Sequence, residues 1–280
     1  MNNEIRIDAL LPQEMAEKAE ALGVRKANLP FWPMFALGIL AGAFVALGAL
    51  LATTVAAGSA ALPYGVARLL VGLAFCLGLI LVVIGGAELF TGNNLIVMAW
   101  ASRKVGTLQL LRNWLIVYLG NFVGSLATAV LVFLGKQYTF GGGSVGEAAL
   151  KIAMGKLHLG FVQALALGAL CNGLVCLAVW LTYSGRTTTD KILAILFPIT
   201  AFVAASFEHS VANMYFIPYA WFIQRFDPAF AAGTGLDLTG LTWGNFLLGH
   251  LLPVTLGNIL GGAGLVAAMY WFIYLRGRKN

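Results

Sequence analysis

The chain has 280 residues, of which 60% are hydrophobic and 10% are charged, and its formal net charge is +6. Soluble domains carry about 25% charged residues, so this composition excludes an ordinary soluble protein and predicts an all-α integral membrane protein. The apolar stretches lack the alternation of a membrane β-barrel. The positive charge indicates no nucleic-acid partner, because cytoplasmic loops of membrane proteins collect Lys and Arg.

The first 28 residues are polar and predict a cytoplasmic amphipathic helix, with no apolar signal region. Pro12 suits the first turn of this helix. Its apolar face is predicted to consist of Leu11, Met15, Ala19 and Leu22. The favoured interpretation is a helix that lies on the membrane surface. The alternatives are a cytoplasmic gate or a strap between subunits, and either leaves room for a cytoplasmic partner.

Residues 29–276 form the predicted membrane domain, and residues 277–280 form a cytoplasmic tail. Charged residues divide this domain into six apolar stretches, at 30–67, 68–103, 112–136, 156–186, 191–225 and 238–276. Glu88 interrupts the second stretch, and Glu208 with His209 interrupts the fifth. The pieces after the interruptions are too short to cross a bilayer alone. The sequence therefore predicts six transmembrane helices, of which the second and fifth are broken.

Six crossings place both termini on one side of the membrane. Twelve of the 17 Lys and Arg residues fall on that side and five on the other. Because Lys and Arg concentrate in cytoplasmic loops, both termini are predicted to be cytoplasmic.

The two halves of the membrane domain resemble each other. Glu88 and Glu208 are each followed five residues later by an asparagine, Asn93 or Asn213. The related motifs LGNFVG and LGNILG follow at 119–124 and 256–261, and Gly38-x-x-x-Gly42 corresponds to Gly168-x-x-x-Asn172. Since each half has three crossings, the second copy must enter the membrane upside down. This predicts an inverted 3+3 repeat whose breaks meet near the membrane midplane.

Ionisable residues inside a membrane usually mark a conduction or binding path. His209 is the strongest candidate, because imidazole can hydrogen-bond a small anion or exchange a proton near physiological pH; the structural alternative is a histidine that caps the broken helix. The Thr91 hydroxyl either binds a permeant oxyanion or bonds to its own helix. Glu88 and Glu208 are predicted to hold the broken backbone, since a carboxylate repels an anion.

Other polar residues have less specific interpretations. Asn93, Asn172 and Asn213 are buried amides that need hydrogen-bond partners, and bonding between helices is the default expectation. Lys156 is interpreted either as a snorkelling anchor or as part of an anion funnel. His158 and His250 lie near the ends of apolar stretches and are expected to be solvated or interfacial.

No catalytic motif, nucleotide-binding loop or metal-ligand spacing occurs in the sequence. The three cysteines all fall in apolar runs and are interpreted as packing residues. We therefore expect no enzyme activity, no cofactor and no metal.

The motifs GGAELFTG at 85–92 and FEHSVANM at 207–214 resemble the two signatures of the formate/nitrite transporter family. The resemblance covers essentially the whole chain. The LLP motif at 10–12 and residues 175–186 are most similar to the bacterial formate-channel branch, whereas Gly92-Asn93-Asn94 is closer to the nitrite branch.

This resemblance implies an aquaporin-like fold in a homopentamer in the bacterial inner membrane, with one pore in each protomer. It implies a passive or proton-linked channel for formate and similar small monovalent anions, with pH gating; the alternative is a nitrite or hydrosulfide channel. The implied cytoplasmic constriction consists of Leu79, Leu89 and Phe90, and the periplasmic one of Phe75, Val175 and Phe202. The implied central polar site is Thr91 with His209, and Asn172 and Lys156 lie toward the periplasmic vestibule.

Three rival functions come from other classes. A neutral-solute channel of the aquaporin kind should carry paired Asn-Pro-Ala motifs, and the sequence has none. A membrane scaffold should show no solute flux in liposomes. A transporter with alternating access should saturate at low turnover, where a channel conducts.

Overall fold

The computed structural model describes residues 9–277, so the predicted segments at 1–8 and 278–280 lie outside the described residues. Regular structure within 9–277 is entirely helical, without a β-strand. The helices are α1 Pro12–Ala27, α2 Phe31–Ala56, α3 Tyr64–Gly85, α4 Val97–Ala101, α5 Thr107–Leu134, α6 Ser144–Leu157, α7 Phe161–Ser184, α8 Thr188–Ala204, α9 Ser210–Phe226, α10 Pro228–Gly233 and α11 Asn245–Tyr274. Short 3₁₀ helices lie at Ser59–Ala61, Gly92–Ile96, Gln137–Thr139 and Gly141–Gly143, and α11 is π-helical at Asn245–Leu251 and Leu260–Ala268.

Five helices in the described range are long and apolar enough to cross a membrane: α2, α3, α5, α7 and α11. Large apolar side chains on several helices point away from the protein. Leu131 is 69% exposed, Phe197 79% and Leu248 72%. A water-soluble surface does not carry apolar side chains at this density, whereas a lipid or subunit interface does. The predicted class of an all-helical protein with membrane-type helices is confirmed.

Helical structure is interrupted within the second and fifth apolar stretches. α3 ends at Gly85, and the chain stays non-helical until Gly92. α8 ends at Ala204, and α9 begins at Ser210. Residues with positive φ follow both helix ends, Gly86 at 79° and Ser206 at 59°. We call residues 86–91 the first break and residues 205–209 the second break.

Buried asparagine side chains form hydrogen bonds with backbone groups at the breaks. At the first break, Asn121 donates from Nδ2 to the carbonyl oxygens of Gly38 (2.8 Å) and Glu88 (3.0 Å), and its Oδ1 accepts from the Phe90 amide (2.9 Å). These bonds give protein partners to the Glu88 carbonyl and the Phe90 amide in the break, as a non-helical segment within a membrane domain requires.

The second break repeats this arrangement with Asn258. Its Nδ2 donates to the carbonyl oxygens of Gly168 (2.8 Å) and Glu208 (2.9 Å), and its Oδ1 accepts from the Ser210 amide (2.9 Å). The two asparagines are the third residues of the related motifs at 119–124 and 256–261. The sequence likeness of the halves therefore has a direct counterpart in hydrogen bonding.

The N-terminal helix differs from its favoured interpretation as a surface helix. One face of α1 is buried against the segment that follows the first break, where Gly23 packs on Ile96 and Ala99. Lys18 Nζ donates to the Tyr183 carbonyl oxygen at 2.8 Å. Leu11, expected on the apolar face, is 66% exposed. Protein rather than lipid covers the buried face, because its small residues allow close backbone contact.

Glycines allow α7 and α11 to pack backbone against backbone. A side chain at Gly261 would collide with the Ala169 carbonyl oxygen, whereas one at Gly264, on the same helix, would meet nothing within 4 Å. Small residues at such contacts are the usual basis of helix association in membranes.

We therefore expect Gly261→Leu to prevent stable packing of α11 on α7, because a backbone carbonyl cannot move aside as a side chain can. Overpacking costs about 1–3 kcal/mol even where side chains can adjust. Gly264→Leu is the matched control and should fold as the wild type does. The measurement is the yield and thermal midpoint of the purified protein in detergent. Equal midpoints for the two variants would contradict this packing.

Candidate functional site

The two breaks meet at the side chains of Thr91 and His209. Thr91 Oγ1 lies 3.0 Å from His209 Nε2, and the residues are 0% and 3% exposed. His209 is also the N-cap of α9, since its Nδ1 accepts from the Ala212 amide at 3.1 Å. Because Nδ1 is an acceptor, the neutral ring carries its proton on Nε2 and donates it to the Thr91 oxygen. The Thr91 hydroxyl proton remains available to a further acceptor.

A small central cavity lies beside His209. It is lined by Val45, Phe75, Leu79, Leu89, Val175, Ile199, Phe202 and His209. Its volume is about 10 Å³, which is close to the minimum that can hold one water molecule. The Phe202 ring stacks on His209 with centroids 5.9 Å apart and meets Phe75 edge to face at 5.6 Å. One ionisable side chain thus faces an otherwise apolar, nearly closed space.

A larger cavity opens on one side of the central cavity, next to α6, and we call it the α6 cavity. It has a volume of about 520 Å³ and shares Phe75, Phe202 and His209 with the central cavity. Lys156 and Arg68 also line it. The Arg68 guanidinium donates to the last carbonyl oxygens of α8, so its charge is anchored at the cavity wall.

A third cavity lies on the opposite side, next to α1, and we call it the α1 cavity. It has a volume of about 200 Å³ and shares Leu79 and Leu89 with the central cavity. Lys26 and Glu88 also contribute to its wall. The three cavities therefore form a row, in which apolar side chains separate each from the next.

Charged residues beside the first break form a closed network with α1. Lys26 Nζ donates to Glu88 Oε1 (2.8 Å) and Asn93 Oδ1 (3.0 Å). Asn93 Nδ2 donates to Glu88 Oε2 (2.7 Å) and to Asn113 Oδ1 (2.9 Å). We call these four residues the first-break network.

The second-break network consists of Lys156, Glu208, Asn213 and His250. Lys156 Nζ donates to Glu208 Oε1 (3.1 Å) and Oε2 (2.9 Å), and Asn213 Nδ2 donates to Glu208 Oε2 (2.8 Å). His250 Nε2 lies 2.9 Å from Asn213 Nδ2 and 3.3 Å from Glu208 Oε2. The lysine side chain is 15% exposed and faces the α6 cavity, which favours the anion-funnel interpretation over a lipid anchor.

The structure brings most of the predicted site residues together, but two lie elsewhere. The Phe90 ring packs on Trp114 and Tyr118, with centroids 6.1 and 4.8 Å away, and lines none of the three cavities. Asn172 is fully buried and donates to the carbonyl oxygens of Thr91 (3.3 Å) and Asn258 (2.7 Å) instead of facing the α6 cavity.

Sequence reasoning missed Lys26, Asn113 and His250. The expectation that His250 is solvated or interfacial is wrong, since the residue is 1% exposed. The spacing of the internal repeat could have identified these three residues. Lys26 precedes Lys156 by the same 130 positions that separate Gly38 from Gly168. Asn113 and His250 each stand eight residues before the asparagine that holds a break.

Comparisons with known proteins agree with this geometry. The model of the formate/nitrite transporter family matches residues 13–272. Formate channel FocA of Escherichia coli K12 is 44% identical over 273 residues, which cover 96% of each chain. Formate channel FocA of Haemophilus influenzae is 42% identical over 266 residues, which cover 94% of each chain.

Two solved structures are similar over most of their length. A pentameric formate channel with formate bound has a TM-score of 0.82 and 46% identity, over 88% of this chain and 98% of that chain. An ion channel of the FNT family has a TM-score of 0.78 and 31% identity, over 93% of this chain and 98% of that chain. From the family match and the near-complete coverage of these relatives, we conclude that the chain belongs to the formate/nitrite transporter family.

Proposed function

We propose that the protein is a channel for formate and similar small monovalent anions, not an enzyme, and that it works without a cofactor. The observation that carries this proposal is the Thr91–His209 pair beside a nearly closed apolar cavity, with a wider cavity on each side. The relatives named as formate channels support the same substrate.

The apolar barriers determine the form in which formate passes. Transfer of a bare anion from water into a narrow apolar space has a large free-energy cost, whereas the cost for neutral formic acid is much smaller. In the proposed mechanism His209 takes up a second proton, which breaks the bond that Nδ1 accepts from Ala212. The imidazolium then passes one proton to formate, which gives formic acid and restores the neutral ring with its proton on Nε2. The ring regains a proton from water in the adjoining cavity. Transport becomes formate/proton-coupled as the pH falls, since more rings then carry the proton.

Each predicted site residue has a role in this proposal. Thr91 and His209 form the central polar site that binds the anion and exchanges the proton. Leu79 and Leu89 close the path toward the α1 cavity, together with Phe90 when the first break moves. Phe75, Val175 and Phe202 close it toward the α6 cavity. The supporting residues are Lys156, Asn172, Glu88, Glu208 and Asn213.

The proposed architecture has six crossings in an inverted 3+3 repeat with an aquaporin-like fold. In it, the first break interrupts the second crossing, and α8 with α9 forms the fifth. The matching bonds of Asn121 and Asn258 support the repeat. The pentameric relative supports a homopentamer with one pore per protomer, surrounded by lipid.

The chain is a multi-pass protein of the bacterial inner membrane in this proposal, and both termini are cytoplasmic. Twelve of the 17 Lys and Arg residues fall on the side of the termini, which supports this orientation. The α1 cavity then faces the cytoplasm and the α6 cavity faces the periplasm. α1 covers the cytoplasmic entrance, where a cytoplasmic partner would reach it.

Flux into liposomes that hold the purified protein tests the substrate. Formate, nitrite and hydrosulfide are compared at pH 7 and pH 5 beside protein-free liposomes. We expect formate to pass fastest and its uptake to depend on pH. Faster nitrite or hydrosulfide flux would move the substrate within the family, and saturation at low turnover would indicate alternating access. No flux of any of the three would contradict the channel proposal.

A further inference from the structure

The networks at the two breaks differ at one position. Asn113 in the first-break network and His250 in the second occupy the same place in the repeat, eight residues before Asn121 and Asn258. Asn113 offers an amide oxygen to its neighbour and donates from Nδ2 to the Lys26 carbonyl oxygen at 3.0 Å. His250 offers a ring nitrogen, which can change its protonation state, in place of the amide oxygen.

Two polar atoms of the second-break network are buried without a protein partner. His250 Nδ1 and Asn213 Oδ1 make no hydrogen bond within residues 9–277. In the first-break network the corresponding asparagine oxygen, Oδ1 of Asn93, accepts from Lys26. A buried polar atom without a partner costs about 1–3 kcal/mol, so its retention calls for an explanation.

The unpaired oxygen of Asn213 is explained if the network has two protonation states. In the neutral state His250 Nε2 accepts from Asn213 Nδ2, as the geometry of 2.9 Å indicates, and the ring proton sits on Nδ1. In the protonated state Nε2 becomes a donor. It then bonds to Glu208 Oε2, which is 3.3 Å away, and the Asn213 amide turns its free oxygen toward the imidazolium.

Charged and titratable groups around His250 come from every element that packs on its part of α11. Glu208 contacts His250 directly, Lys156 on α6 bonds to Glu208, and Cys171 on α7 interacts electrostatically with both of these charges. In the chain, His209 follows Glu208 and Tyr215 on α9 lies two positions after Asn213. The ordinary pKa values of tyrosine and cysteine lie above about 8. Imidazole is the side-chain type among these groups that exchanges a proton most readily near neutral pH.

Protonation of His250 changes the charge of the network. Lys156 and Glu208 together carry no net charge, so an imidazolium makes the network positive by one unit. The imidazolium also competes with the lysine for the same carboxylate oxygen, Oε2. The lysine also bonds to Oε1 at 3.1 Å, so this competition removes one of its two bonds to Glu208. Its ammonium group is then held less tightly at the wall of the α6 cavity.

We propose that His250 is a positioning residue that controls anion capture in the α6 cavity: its protonation loosens Lys156 from Glu208, and the freed positive charge attracts formate. The inference rests on the proposed formate-channel function. It differs from the role of His209, which lines the central cavity and acts on the bound anion. His250 changes the concentration of anion at the entrance, and His209 changes passage through the centre.

The test uses His250→Asn, which places the amide of the first-break network in the second. Formate flux of the full-length protein in liposomes is measured over a range of formate concentrations between about pH 5.5 and pH 7.5. In the wild type we expect the half-saturating formate concentration to fall about three- to tenfold as the pH falls, as one added charge at short range allows. In His250→Asn it should stay within about twofold, while the pH dependence of the maximal flux remains.

His158→Asn is the matched control, because His158 is exposed at the end of α6. This control should keep the wild-type profile. A His250→Asn channel whose half-saturation still follows pH like the wild type would overturn the proposal. If that variant does not fold, His250→Gln serves as the second amide substitution.

A second readout does not depend on flux. The chain contains three histidines, so substitution assigns each imidazole ¹⁵N resonance of the solubilised protein. We expect the His250 nitrogens and the Asn213 side-chain amide to shift together with pH. A His250 ring that stays in one state across this range would overturn the inference. Wild-type protein without formate flux would contradict the proposed function, and the resonances would then decide the inference alone.

Discussion

The maximal rate of formate uptake should fall at least about tenfold in His209→Phe, and the dependence of this rate on pH should disappear. Phenylalanine fills the space beside Phe202 but removes the nitrogen that donates to Thr91 and the one that caps α9. The central cavity then has an entirely apolar lining. An anion would lose both the hydrogen bond and the proton of the imidazole there, so its desolvation would be less compensated.

His209→Asn separates the two tasks of this side chain. Asparagine is a favoured N-cap residue and can accept from the Ala212 amide, so α9 should keep its start. Its shorter side chain carries no titratable group for the anion. We expect both variants to lose the pH dependence of the maximal uptake rate, with His209→Asn retaining the wild-type thermal midpoint. A maximal uptake rate that stays at the wild-type level and still depends on pH in His209→Phe would contradict the proton-exchange mechanism.

The central site could be located from the sequence because ionisable residues interrupt otherwise apolar stretches there. Acidic residues inside apolar stretches are rare, and the adjacent His209 stands out from every neighbour. The five-residue spacing of Glu88 and Asn93 repeats at Glu208 and Asn213, and both pairs are hydrogen-bonded. Where a motif occurs twice in a chain, its contacts can be expected to occur twice as well.

The sequence did not predict features that depend on which other parts of the protein pack against a residue. An amphipathic pattern in α1 shows that one face is apolar but does not show whether lipid or protein covers it. The pairing of Lys26 with Glu88 was therefore not predicted. His250 was expected at the surface because it lies near the end of an apolar stretch. Its burial depends instead on which face of α11 carries it. Phe90 lies in a break, where no helical period indicates the direction of a side chain.

Loss of the asparagine that holds the second break should be the most damaging single change to stability. Asn258→Leu leaves two backbone groups of the break without a partner, the carbonyl oxygen of Glu208 and the amide of Ser210, and removes an additional bond to the Gly168 carbonyl oxygen in α7. Each such group costs about 1–3 kcal/mol. The total of about 2–6 kcal/mol reaches the lower end of the whole stability of a typical domain, about 5–15 kcal/mol.

Asn245→Leu provides the matched control, because Asn245 lies on the same helix but is exposed and its side-chain amide donates only to the Gly240 carbonyl oxygen. Exposed substitutions usually change stability by less than about 0.5 kcal/mol. We expect the control to reach the membrane in wild-type amount, whereas little folded Asn258→Leu protein should be recovered. Measured together, membrane yield and thermal midpoint separate the two variants. A wild-type midpoint for Asn258→Leu would mean that the break has another source of hydrogen bonds, and the equivalence of Asn121 and Asn258 as supports of the two breaks would then be lost.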